Sequence, residues 1–196
     1  MNAIGSDESL KGDTFGGIVV AGVYVEKAQE QALLDLGIRD SKKISDKKVR
    51  LLAKQIKDIC PHAICSIYPK EYNQKSLTPL LNALHAQVYE TICKQIGYQP
   101  LHIVDKFPGC TVGTIQEFRA ESLFISVGAA SILAREQALV QLEELSKRAG
   151  FLLPKGSTHV QDALKQLKEK KLVANEFVKM HFKNVQQALR TDSENH

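Results

Sequence analysis

Four acids stand where this chain could do chemistry. Asp7 and Glu8 lie together near the N-terminus, Asp105 closes the apolar run Leu101-His102-Ile103-Val104, and Glu121 precedes a long apolar pattern that starts near Ser126. Carboxylates gathered at strand or helix ends repel one another, an arrangement normally kept where cations bind between them. Hard oxygen donors point to magnesium or manganese, and two such ions can activate a water and clamp a phosphate for in-line displacement. Spacing alone does not select these four from the 22 acidic residues. An isolated Asp-Glu pair is more often a solvated turn or a helix cap.

Other chemistries lose ground by absence. The sequence has no GxxxxGK[ST] loop, no GxGxxG turn between strand and helix, no HExxH and no GxSxG elbow, so no nucleotide cofactor is expected. Cys60, Cys65, Cys93 and Cys110 show neither CxxC pairing nor zinc-type spacing with histidines, and reduced, mostly buried thiols are the expectation. The net charge of +4 is modest, but two segments concentrate it. Lysines and arginines crowd between Arg39 and Lys57 and again between Lys155 and Arg190, which suits a polyanionic partner as well as solvated helix faces. The N-terminus lacks a basic leader, and the longest apolar run, Gly16 to Val25, is too short to span a bilayer. A soluble cytoplasmic monomer is the resulting expectation.

The elements that must position the acids follow from periodicity. Ile4 to Glu8 and the β-branched run Ile18 to Val25 predict a hairpin, the second strand buried on both faces. Ser45 or Asp46 caps a helix whose apolar positions are Val49, Leu52, Ala53, Ile56 and Ile59. His62 to Tyr68 predicts a strand, Leu81 to Ile96 a helix stopped at Gly97, and Leu101 to Asp105 a short strand. A largely buried helix is expected from Ser126 to about Ala149, then two more from Val160 to about Lys171 and from Ala174 to about Leu189. His181 falls on the apolar stripe of the last of these and reads as a packed structural histidine. Strands alternating with helices, opened by a hairpin, give an α/β fold with a mixed central sheet flanked by helices and a helical C-terminal region. One domain over residues 1–190 is expected, with a disordered tail at 191–196.

A resemblance then sets the weight on the acids. Gly5-Ser6-Asp7-Glu8-Ser9, with Lys11-Gly12-Asp13 and Phe15-Gly16, resembles the opening signature of the type 2 ribonucleases H, and most closely of ribonuclease HIII. Asp40-Ser41-Lys42-Lys43-Ile44-Ser45, Val104-Asp105-Lys106-Phe107, the block from Phe118 to Arg135, Leu153-Pro154-Lys155-Gly156 and His181-Phe182-Lys183 are similar to further motifs of that family, in the same order. HIII-like proteins supply a glutamate ahead of the core helix, where Glu121 stands, while HII-like ones carry an aspartate near the place of Leu139.

The resemblance implies a ribonuclease H-like fold and a two-metal endoribonuclease that cuts RNA paired with DNA, leaving 5′-phosphate and 3′-hydroxyl ends. It implies Mg2+ or Mn2+ as cofactor, on a tetrad of Asp7, Glu8, Asp105 and Glu121. The partner implied is an RNA/DNA hybrid or RNA-DNA junction duplex. Ser9, Leu10, Lys11, Gly12, Ser41, Lys42, Lys43, Lys155 and Gly156 are the expected substrate contacts. One departure stands at Leu10, where the family carries a glycine. A leucine at positive φ costs about 1–2 kcal/mol, so weakened cleavage is expected there, with a hybrid-binding protein of impaired activity as the alternative reading. The N-terminal substrate-binding domain usual in HIII-type proteins is expected to be absent.

Overall fold

The continuous run Ile18–Val25 is a strand buried at every position, as its β-branched composition requires. In a computed structural model, which describes residues 1–38 and 44–190, it is β2 of a five-stranded sheet ordered β3-β2-β1-β4-β5. The other strands are β1 (Ala3–Ser9), β3 (His62–Ile67), β4 (Leu101–Asp105) and β5 (Ile115–Glu117). β1 runs antiparallel to β2 and parallel to β4, and β4 runs parallel to β5, so the sheet is mixed. The helices are α1 (Glu30–Asp35), α2 (Asp46–Ile59), α3 (Pro69–Tyr72), α4 (Leu77–Ile96), α5 (Ala120–Leu123), α6 (Ile125–Ala149), α7 (Gln161–Glu169) and α8 (Lys183–Arg190). Contacts group the chain into two compact units. The first holds Met1–Ser9, Val19–Cys65 and Leu77–Gln137; the second holds Leu10–Ile18, Ser66–Ser76 and Ala138–His196.

In the first unit, alternation along β1 decides what each face meets. Ala3 packs in a cluster with Ile103, Ala120 and Val127, while Ile4 packs with Tyr24 and Ile92. Gly5 shares the face of Ala3, and a Cβ there would lie 2.3 Å from the Val127 backbone nitrogen. Only glycine lets the start of α6 approach β1 so closely. Ser45 caps α2, accepting the Lys48 N–H at 3.3 Å, and the predicted apolar positions Val49, Leu52, Ala53 and Ile56 are the buried ones. Gly97 ends α4 at φ 82, accepting the turn that stops a helix.

The second unit is built on its short loops. Buried Gln141 donates to Ser66 Oγ at 2.9 Å and to the Ile67 carbonyl at 3.1 Å, and accepts the Gly17 N–H at 2.8 Å. The helix expected from Ala174 to Leu189 is broken here. A 3-10 turn at Ala174–Glu176 gives way to extended chain, Val178 bridges Phe15, and α8 begins only at Lys183. The Lys179 N–H donates to the Thr14 carbonyl and the Gly16 N–H to the Phe177 carbonyl, both at 3.0 Å. Those backbone bonds satisfy residues that a continuous helix would have paired internally. His181 therefore lies in a turn, its ring stacked on Tyr72 and edge-on to Phe182. The tail at 191–196 lies outside the described residues.

Candidate active site

The register of β1 with β4 brings the first acids together. Ser6 pairs with Val104 in parallel, so the next residues along, Asp7 and Asp105, run side by side as the two strands end. Asp7 shares the Gly5 face and bonds Ser131 on α6, while Glu8 turns to the opposite face. Burial, then the neighbouring charges of Glu8 and Asp105, push the Asp7 carboxyl up to about 8, even though the Glu8 N–H donates to it at 2.7 Å. Such a group takes a proton at neutral pH unless a cation offsets the repulsion.

Glu8 faces a polar chain that sequence reasoning missed, across an approach that is not a hydrogen bond. Its Oε2 lies 3.5 Å from Nε2 of fully buried His85. The Ser6 hydroxyl sits 2.8 Å from His85 Nδ1 and 2.8 Å from His102 Nε2, so it can donate to one ring and accept from the other. Burial and the nearby His85 push His102 down to about 3, which keeps it neutral. Stacking of His85 on Phe107 and of His102 on Tyr89 fixes both rings.

Glu121 is 5% exposed in the first turn of α5. Asp105 Oδ1 accepts the Ala120 N–H at 2.9 Å, so the residue before Glu121 is tied to Asp105. Among the described residues, no group of three or more His, Cys, Asp or Glu side chains is placed to hold a metal ion; Asp7 and Glu8 share β1 with Asp105 beside them on β4, while Glu121 stands on α5. The donor set nonetheless fits a hard dication, because all four are carboxylates and Asp7 is a buried acid beside two others.

The expected substrate contacts divide. Ser9 ends β1 half-buried. Ser41, Lys42 and Lys43 lie outside the described residues. In the second unit, the loop that carries Leu10, Lys11 and Gly12 is joined just beyond them to the loop of Lys155 and Gly156: Asp13 Oδ1 accepts the Gly156 N–H at 2.6 Å, and the Gly156 carbonyl accepts the Thr14 N–H at 2.9 Å. Beneath them, the wholly buried Lys179 donates to the carbonyls of Asp13 at 2.6 Å and Gly16 at 3.0 Å, between the rings of Tyr72 and Phe182. Burial pushes this ammonium down to about 7, with Asp13 opposing.

Leu10 adopts the left-handed conformation expected of the family's glycine, at φ 69. Its side chain is only 4% exposed, with Cδ1 2.9 Å from where a Cβ on Gly16 would stand. The leucine is thus folded inward onto Gly16. Among the described residues two other non-glycine positions share positive φ, Arg119 at 57 and Lys171 at 54, a conformation that costs about 1–2 kcal/mol.

A model of the ribonuclease HII family matches residues 4–185. The chain belongs to that family. Its likeness within the family is to the HIII type of endoribonuclease. It is 39% identical to ribonuclease HIII of Protochlamydia amoebophila, over 93% of this chain and 66% of that one. It is 31% identical to ribonuclease HIII of Lactococcus lactis, over 96% and 73%. The crystal structure of Bst-RNase HIII in complex with Mn2+ superposes with a TM-score of 0.88 at 30% identity, covering 98% of this chain and 70% of that chain. Ribonuclease H2 of Pyrococcus horikoshii shares the fold at a TM-score of 0.79 and 20% identity. The ribonuclease H-like architecture expected from the sequence is the one observed. The four cysteines are free thiols, and burial pushes Cys60 up to about 11. Among the described residues no helix is long and apolar enough to cross a membrane.

Proposed function

We propose that this chain is a divalent-metal-dependent endoribonuclease that hydrolyses the RNA strand of RNA/DNA hybrids in the cytoplasm, leaving 5′-phosphate and 3′-hydroxyl ends. The observation that carries the reading is the β1–β4 register, which sets buried Asp7 beside Asp105 with Glu8 next to it in the chain, so that burial and then those two charges raise the Asp7 pKa. Asp7, Glu8, Asp105 and Glu121 would hold Mg2+ or Mn2+. When bound, that metal supplies a polarised water and a counter-charge for the leaving 3′ oxygen.

The chain's own residues do the rest. Ser131 and the Glu8 N–H orient the Asp7 carboxyl, and the Ala120 N–H orients Asp105. His85, fixed through Ser6 by neutral His102, bounds Glu8 on its buried side. Leu10 to Gly12 lie on a loop whose carbonyls at Asp13 and Gly16 are held by Lys179; exposed Gly12, with open space where a Cβ would stand, suits a close approach to ribose, and Lys11 and Lys155 offer charge for phosphates.

The test is cleavage of end-labelled RNA/DNA, DNA-RNA-DNA/DNA and all-DNA duplexes with Mg2+ or Mn2+. Cleavage confined to the ribonucleotide-containing duplexes is expected, and cutting of the all-DNA duplex would refute the reading. Retained hybrid binding without hydrolysis in either metal would favour a binding protein instead, a reading motivated by the strained backbone at Leu10.

A further inference from the structure

Of the three non-glycine residues at positive φ among the described residues, two have a local explanation. Lys171 closes α7, its N–H on the Lys168 carbonyl and the Leu172 N–H on the Leu167 carbonyl. Leu10 buries its side chain. Arg119 has neither reason: it precedes a helix, its side chain is exposed, and no hydrogen bond or ion pair among the described residues holds its guanidinium.

The backbone at Arg119 has a clear task. With φ 57 and ψ 38, the chain turns so that the Ala120 N–H meets Asp105 Oδ1 at 2.9 Å and Glu121 begins α5. The Arg119 carbonyl closes the turn by accepting the Ser122 N–H at 3.0 Å and the Ser122 hydroxyl at 2.8 Å. Glycine would do this without strain. An arginine there calls for a use of its side chain.

Its neighbourhood says which use. Phe118, 67% exposed, carries the Lys106 ammonium 5.1 Å from its ring centroid. Lys106 directly follows Asp105 and donates its N–H to the Glu117 carbonyl at 2.9 Å. Two cationic residues thus stand next in the chain to Asp105 and to the residue that bonds it, beside acids that would by themselves repel a polyanion, and a guanidinium presents a rigid fork matched to phosphate oxygens.

We propose that Arg119 binds a backbone phosphate of the nucleic-acid substrate beside the acid cluster, with Lys106 lending charge across Phe118. The inference rests on the proposed hybrid-cleaving activity and adds a binding residue to it. The test measures hybrid cleavage by the chain with Mn2+ at several salt concentrations, for the unaltered protein, Arg119→Gln, Arg119→Lys and Arg119→Gly.

Arg119→Gln is expected to raise KM about tenfold with kcat changed less than about twofold, and to make the dependence of log kcat/KM on log salt shallower by about one. Arg119→Lys recovers most of the KM. Arg119→Gly melts at a higher temperature than the unaltered chain yet shows the raised KM, which separates the side chain from the backbone turn. Unchanged KM and salt slope in Arg119→Gln, with the unaltered chain active, would overturn this inference alone. An unaltered chain that neither binds nor cuts hybrid would overturn the parent reading and this one with it.

Discussion

The acid cluster on β1 and β4 and the loop from Leu10 to Gly17 use buried polar groups in opposite ways. In the cluster, burial first and then the like charges of Glu8 and Asp105 lift Asp7 to about 8. In the loop, one buried ammonium, Lys179, meets two backbone carbonyls and two ring faces. The first is tense as it stands and suited to being discharged by a cation. The second is satisfied and suited to holding backbone still. Rate and stability should therefore respond differently to substitution in the two places.

The largest break in that comparison is expected from Asp105→Asn. Hybrid hydrolysis should fall on the order of 10³-fold, the scale for removing one charge-handling group. The thermal midpoint should hold or rise, because repulsion on Asp7 is relieved while Asn Oδ1 can still accept the Ala120 N–H. Single-turnover cleavage and a melt on the same sample check both halves, and a large loss of stability would show the acids to be structural.

Gly5→Ala comes next. A Cβ 2.3 Å from the Val127 nitrogen must push α6 from β1, at a cost of about 3 kcal/mol, read by urea unfolding. Cleavage should fall with it, since Ser131 leaves Asp7.

On the loop side, Lys179→Met strands the Asp13 and Gly16 carbonyls, at a cost of about 2 kcal/mol. Here pH sharpens the contrast. Burial places the folded Lys179 near 7 against an ordinary 10.5, so between those values the unfolded chain holds the extra proton and stability rises with pH. That rise should be absent in Lys179→Met when unfolding is followed across the window.

The smallest effect is expected at Leu10→Gly. Relief of the left-handed strain offsets part of the lost burial, leaving a net destabilisation of about 1 kcal/mol. A rise in kcat/KM on hybrid would show that the leucine limits ribose approach. Unchanged kinetics would show that its inward fold onto Gly16 makes it harmless.

Much of this was legible along the chain, and the omissions share a cause. The buried strand Ile18–Val25 and helices α2, α4 and α6 declare themselves through residue type and local period, whereas the four acids stood out from the other acidic residues only through the resemblance of the motifs around them. The Ser6 hydroxyl between His85 and His102 joins positions 79 and 96 residues away, beyond any local pattern. The break in the helix expected from Ala174 has the same origin, since Phe15 competes for the backbone at Val178. The short elements α1, α3 and β5 carry too few residues for a period to show. The expected substrate contacts were assigned by motif, and among the described ones the structure ties the loop after Leu10–Gly12 to Gly156 through Asp13 and Thr14. Arg119 lay within a quoted motif, but its left-handed backbone, the feature that sets it apart, has no signature in residue type.

One consequence follows from the alternation of β1. Because Asp7 answers to Ser131 on α6 while Glu8 answers to His85 on α4, the strand works as a partition with separate controls on its two sides. A change at Ser131 acts on Asp7 directly, whereas a change at His85 reaches it only through Glu8, whose charge bears on Asp7, so the acid pair can be approached from either side of the strand without touching a carboxylate.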